Sequence, residues 1–371
     1  MKKWITYFVM LFLFAGGMKV YARENPEVPN DTLGIASRMS TGDEIDQEGK
    51  KDVFQPKKVI FEHLGDTYGW EIASNLKLPL PVIVRDDTGK WHVFSSKHIE
   101  KGKKHEGFYV AGEGKYENKV VGEDVSGNLY RPMDFSITRN VMSIILTALL
   151  TLWMAFALVR FYKRKRWKAP RKILGFIEMI IEMLYREVIV GILGEEAKRY
   201  ASYLLTVFFF IFIANIVGMI AVFPGGANVT GNLSITLVLA LCTFVIVNVS
   251  GTRRYWKDVF WPDVPTWLKF PLPIMPLIEI FGVFTKPAAL MIRLFANMLG
   301  GHLIIIILIS LIFLFGAMGS LVVGTTTVLS VFFAVFMDLI HVLIAFIQAY
   351  VFMMLSALFI GLARVKKSSD E

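Results

Sequence analysis

Eight side chains able to hold or pass an ion stand inside two long apolar stretches near the end of the chain. Between Pro276 and Phe315 they are Glu279, Lys286, Arg293, Asn297 and His302; between Thr326 and Ala363 they are Asp338, His341 and Gln348. A charged side chain in hydrocarbon costs at least about 2.5–3.5 kcal/mol on insertion, so each is a candidate for function. Glu279, Lys286 and Arg293 are seven apart. At 100° per residue they keep within a stripe about 40° wide, which Pro287 can kink. Arg293 sits deepest and cannot lose its proton, so it would be a fixed positive charge in a low-dielectric place. His302 points roughly opposite to it, about 13 Å farther along a regular helix. Asp338, His341, Ala345 and Gln348 follow the spacing of one helical face. The chemistry on offer is proton passage through imidazole and carboxylate beside a cation that favours the charged form of any approaching carboxylate. Two other readings stand beside it. Polar groups such as Asn215, Asn297 and Gln348 can simply join membrane helices. His302, His341 and Asp338 could in principle share a metal.

The elements that must position these residues are membrane spans. Of 371 residues, 54% are hydrophobic, too apolar for an ordinary soluble domain of this length. The net charge of +9 falls in short clusters beside apolar runs, which is a topology signal rather than a nucleic-acid surface. Five long apolar stretches run from about 140 to 159, 203 to 222, 233 to 249, 276 to 315 and 326 to 363. The last two exceed what a bilayer about 30 Å thick needs, so they must tilt or break. Ile173 to Val190 alternates apolar residues with glutamates and reads as an interfacial helix. Basic clusters at 160–172, 253–269 and 364–367 place the C-terminus inside and the N-terminal part outside. The fold class is therefore an all-α polytopic membrane protein of about five spans, with a small N-terminal α+β or mainly β domain.

That N-terminal part divides further. Residues 1–22, with Lys2 and Lys3 before an apolar run and Ala22 at a small-residue site, fit a secretory signal. Residues 23–58 are polar and Pro- and Gly-containing, a flexible segment. Residues 59–133 read as an extracytoplasmic domain, 134–363 as the membrane domain and 364–371 as a cytoplasmic tail. Two alternating runs flank Asp86-Asp87-Thr88-Gly89 and predict a hairpin, and strands are expected near 108–110 and 119–121. Asp134, Ser136 or Thr138 is expected to cap the first membrane helix. The lone cysteine, Cys242, excludes an internal disulfide. The histidines of this domain show no metal-ligand spacing.

Pro276-Leu277-Ile278-Glu279-Ile280-Phe281, Lys286-Pro287, Arg293-Leu294-Phe295-Ala296-Asn297-Met298 and Gly301-His302 together resemble the signature of subunit a of F-type ATP synthases. Ile347-Gln348-Ala349-Tyr350-Val351-Phe352 is similar to that family's second signature, and Thr206 to Gly218, with Asn215, to its second span. The resemblance covers roughly residues 134–363; the N-terminal extension lies outside the common core. It implies that Arg293 faces the ion-binding carboxylates of a c-ring, with Asn297 and Gln348 as polar partners and Glu279, Lys286 and Asn215 on the access route. His302 and His341 match positions where the family usually places one histidine and one glutamate. Asp338 is then the nearest substitute carboxylate, expected to approach His302. The implied partners are the c-ring, the subunit b peripheral stalk, the remaining synthase subunits and the bilayer, in a bacterial inner membrane, with no cofactor and no nucleic acid. The translocated ion, proton or sodium, is left open. A secondary transporter built on internal repeats is the rival reading, but no convincing repeat occurs. A membrane-embedded enzyme would need a nucleophile, a metal set or a phosphate-binding loop, and the membrane half offers no such motif beyond the His302, His341 and Asp338 set.

Overall fold

Alternation of buried Val82 and Val84 with outward Pro81, Ile83 and Arg85 builds the first recognisable strand. The computed structural model describes residues 66–364 except 74–75, 100–102, 113–115, 117, 124–128, 165–169, 171, 221–228, 261–273 and 316–319. The expected signal and flexible segment, and the cytoplasmic tail beyond Arg364, lie outside the described residues. Strands β1 (Gly69–Ala73) and β2 (Leu76–Pro79) form an antiparallel pair. β3 (Pro81–Arg85) and β4 (Trp91–Ser95) form the predicted hairpin, with Val84 opposite His92. Its turn closes through Asp86 N–H to Lys90 O at 3.0 Å. Gly89 takes a φ of 84° there, a left-handed conformation that glycine adopts without steric cost. β5 (Phe108–Val110), β6 (Val120–Glu123) and β7 (Leu129–Tyr130) form a second sheet, while β8 (Met133–Asp134) joins the free edge of β3. Val82, Val84, Phe94, Ile99, Phe108 and Val120 make the core between them.

The chain passes from β8 straight into α1 (Arg139–Arg164). Of the side chains expected to cap it, Thr138 Oγ1 has no hydrogen-bond partner among the described residues and the other two are used elsewhere. Ser136 bonds across the sheet with Ile83, and Asp134 accepts from Tyr68 Oη at 2.6 Å. The cap comes instead from Asp66, whose carboxylate accepts from Asn140 N–H at 3.3 Å. Helix α2 (Ile173–Met183) runs on through a π-helical segment, Leu184–Val190, to Gly194. At φ 52°, Gly194 turns the chain into α3 (Ala197–Met219). The stretch read from sequence as an interfacial helix forms helical segments of its own, which Gly194 separates from α3.

α4 (Leu233–Ser250) opens on an Asn232 cap that accepts from Ser234 N–H. The short α5 (Arg253–Phe260) follows. α6 (Ile274–Leu314) and α7 (Ser320–Arg364) contain 41 and 45 residues. At 1.5 Å per residue they reach about 62 and 68 Å, twice a hydrocarbon core about 30 Å thick and far more than an upright span needs. Among the described residues, five helical runs are long and apolar enough to cross a membrane: 139–164, 173–219, 233–250, 277–312 and 324–364.

Lipid tails are as apolar as leucine, so these helices associate through close packing rather than escape from water. Small residues on α7 permit it: Ala345, Ala349 and Ala357 are buried, and Gly361 abuts Ile192. α7 is the central helix, packed against α3, α4 and α6; Leu204, Phe208 and Ile211 of α3, Leu290 and Leu294 of α6, and Phe352 and Met353 of α7 belong to one buried cluster. Arg364, at the end of α7, bonds Glu196 at the start of α3 and closes that end of the bundle.

Candidate functional site

α6 and α7 pack antiparallel, and that pairing assembles the site. Asn297 Nδ2 donates to Gln348 Oε1 at 2.7 Å. One turn later in α6, Gly301 abuts His341, seven residues earlier in α7; a Cβ on Gly301 would fall on the imidazole ring. Leu290, Leu294 and Met298 are buried on the packed face of α6, while Arg293 and Asn297 stand on its open face, four residues apart. Among the described residues no carboxylate pairs with Arg293. A fixed cation thus faces outward from the middle of an apolar surface.

On the His302 side, the His341 ring packs against Gly301, the residue next to His302. His302 Nε2 and buried His341 Nδ1 have no hydrogen-bond partner among the described residues. The charged or titratable groups whose field His302 feels are His341 and Arg139, the first residue of α1. Asp338 is elsewhere. It is exposed and lines an open groove with Ile216 and Met219 of α3 and Phe336 and Val342 of α7. Three residues before His341, it lies about 60° away around the helix. Because His341 turns inward beneath Gly301, Asp338 turns outward, and the expected approach to His302 goes to His341 instead. Asn215 is buried in α3 and accepts from Thr230 Oγ1 at 2.5 Å; it serves the junction before α4, not the α6–α7 pair.

Toward the other end of α6, Glu279 and Lys286 are exposed on a helix that continues through Pro287. Lys286 Nζ lies 5.8 Å over the Phe359 ring. It shares a cleft with Thr243, Asn248, Tyr255 and Pro287, in which Tyr255 Oη donates to Asn248 Oδ1 at 3.3 Å. Burial, and then the charge of Glu279, hold the Tyr255 hydroxyl protonated above its usual range. Two polar zones therefore flank Arg293. Lys286 begins one about 10 Å along the axis in one direction, and His302 the other about 13 Å in the opposite one. No three His, Cys, Asp or Glu side chains converge as metal ligands among the described residues.

Sequence reading missed Gly301 as a packing partner, Thr230, Arg139 and Tyr255. Gly301 lies within a recognised motif and could have been asked why it has no side chain. Arg139 reads as an ordinary span boundary, and nothing in its sequence neighbourhood points to His302.

The family described as ATP synthase A chain matches residues 141–361. Residues 59–135 match a family described as a domain of unknown function (DUF8433). The chain is 42% identical over 249 residues to "ATP synthase subunit a" of Myxococcus xanthus, covering 65% of this chain and 77% of that protein. It is 35% identical over 269 residues to the protein of the same name from Pelodictyon phaeoclathratiforme, covering 69% and 75%. With its namesake from Anaeromyxobacter sp. it shares 31% identity over 317 residues, 82% of this chain and 69% of that one.

Proposed function

Since the chain belongs to the ATP synthase A chain family, we propose that it is the stator of the Fo sector and couples proton flow to rotation of a ring of c subunits. The observation that carries this reading is the outward-facing Arg293, unpaired among the described residues, between two separate polar zones. A ring carboxylate must be neutral to face lipid and charged to release its proton. A cation beside it favours the charged form and lowers its pKa. The same cation stops protons from running directly between the zone of His302 and His341 and the zone of Glu279, Lys286 and Tyr255. Protons entering by one zone must then travel round the ring to reach the other. Each charge crossing about 100 mV releases roughly 2.3 kcal/mol, so several are needed per ATP. The imidazoles of His302 and His341 favour the proton as the translocated ion.

In this reading Asn297 and Gln348 hold the α6–α7 pair in register beside Arg293. Asp338 supplies an outward carboxylate along the same helix, and Asn215 fixes the end of α3. ATP chemistry belongs to other subunits, a subunit b stalk holds the chain against the ring's torque, and no cofactor is required. The basic clusters favour a C-terminus in the cytoplasm of a bacterial cell and an N-terminal domain outside its inner membrane. The test is Arg293→Ala in the assembled complex, with ATP-driven proton pumping read in inverted vesicles. Pumping and ATP synthesis are expected to vanish while assembly persists; undiminished pumping would overturn the reading.

A further inference from the structure

The sheet formed by β4, β3 and β8 is apolar on both faces. Its inner face, with Val82, Val84 and Phe94, is covered by the domain core. Register assigns the outer face: Arg85 lies opposite both Trp91 and Met133, Ile83 lies opposite Val93, and Phe135 N–H donates to Ile83 O. Ile137, whose N–H donates to Pro81 O, continues that face. Trp91 is 56% exposed, Val93 68%, Met133 48% and Phe135 46%. An antiparallel sheet with one face in water normally carries polar residues there, and a contiguous apolar patch marks an interaction surface.

We propose that this face rests on the lipid headgroup layer on the domain's own side of the membrane. Three observations choose lipid over a protein partner. First, the patch is continuous with a membrane span. Ile137 and Phe135 precede Arg139, the start of α1, by two and four residues. The 26 residues of α1 reach about 39 Å against a core about 30 Å thick, so its first residue already lies among the headgroups. At about 3.3 Å per residue, Phe135 is within about 13 Å of that point. Second, hydrogen bonds tie the domain to the helix start. Arg139 N–H donates to Thr67 O at 3.0 Å and Asn140 N–H reaches Asp66, so the domain cannot swing far from the surface. Third, the residue types suit an interface. Trp91 and Phe135 pack with ring centroids 5.5 Å apart, and the Arg85 guanidinium lies 5.8 Å over the Trp91 ring. Aromatic rings of this kind settle at headgroup level, and exposed Arg85 and Arg131 can reach phosphates while their stems stay on apolar surface. The domain is thereby an interfacial foot that holds the entry of α1, and with it Arg139, at fixed depth.

A nitroxide probe tests this in the assembled complex, with Cys242, the chain's one cysteine, replaced by alanine. Single labels are placed at Val93→Cys on the proposed face and at Lys119→Cys on exposed surface of the other sheet. The complex is reconstituted in vesicles of phosphatidylethanolamine and phosphatidylglycerol. The ratio of collisions with oxygen to collisions with a water-soluble nickel chelate is expected to be severalfold higher at Val93 than at Lys119. Equal ratios would show the face in water and overturn the proposal. Protection of Val93 from both reagents would show a protein covering it and overturn the proposal equally. Should the Cys242→Ala complex not assemble, fluorescence quenching by brominated lipid serves instead. Loss of part of that quenching in Trp91→Phe supports the proposal, and unchanged quenching refutes it.

Discussion

Gly300 and Gly301 are neighbours in α6 with opposite surroundings. A Cβ at Gly300 meets nothing within 4 Å, whereas one at Gly301 lands on the ring of His341. Alanine is favoured over glycine in a helix interior by about 1 kcal/mol, so Gly300→Ala should leave stability unchanged or raise it slightly. Gly301→Ala must push His341 aside or part the helices, and both disturb the Asn297–Gln348 bond one turn away. We expect Gly301→Ala to slow ATP-driven pumping severalfold and to lower the thermal midpoint of the purified complex, with Gly300→Ala as the matched control. Equal behaviour of the two variants would show that the close approach of α6 and α7 at His341 is unimportant. The same residue-scale geometry separates His341 from Asp338. His341 is locked into the helix pair and Asp338 lines an open groove, so their substitutions report on different parts of the surface.

Among the elements, the junction of β8 and α1 meets the most competing demands. Tyr68 donates to Asp134, accepts from Val120 N–H, and sits where burial, and then the charge of Asp134, push its hydroxyl pKa above the usual value. A pKa higher in the folded than in the unfolded chain means that this contribution is intact below pH about 10 and is lost as pH rises past it. Tyr68→Phe should therefore destabilise the domain by about 1–2 kcal/mol at neutral pH and remove its alkaline sensitivity. Pulse proteolysis of the full chain across pH measures both. On the acid side, the Tyr130 hydroxyl holds the Asp86 carboxyl below its usual range, and the bond from His92 does so for Glu106. Folded pKa values below unfolded ones give stability that is present above the ordinary carboxylate value, about 4, and is lost as pH falls through it. The domain's stability should thus fall off at both extremes, for two different sets of bonds.

At the scale of the whole molecule, the residues proposed for the ion path, from Tyr255 to Gln348, fall within the segment 141–361 that matches the ATP synthase A chain family. The N-terminal domain is bonded to the start of α1 through Asp66 and Thr67. Deleting residues 59–131 should leave proton pumping per assembled complex within a few-fold of the full chain, while the yield of assembled complex falls, because α1 loses its Asp66 cap and its bond to Thr67. A cap is worth about 1 kcal/mol, enough to lower assembly without blocking the path. Assembled complexes that pump nothing after the deletion would show that the domain is part of the path.

Hydropathy alone determined the spans, because a stretch long and apolar enough to cross lipid has few other stable fates. Turn chemistry at Asp86 to Gly89 determined the hairpin for a similar local reason. The motif around Arg293 and the one around Gln348 determined the family. None of this fixed which way a helical face points. Periodicity states that Asp338, His341 and Gln348 are near one another around α7, but it is silent about which of them meets α6. That was decided by Gly301, whose missing side chain admits His341 and so turns Asp338 outward. The Asn297–Gln348 bond joins residues 51 apart, and Asp66 caps a helix residue 74 positions away. Such contacts depend on how whole helices and sheets settle against each other, and only the tertiary structure holds that information.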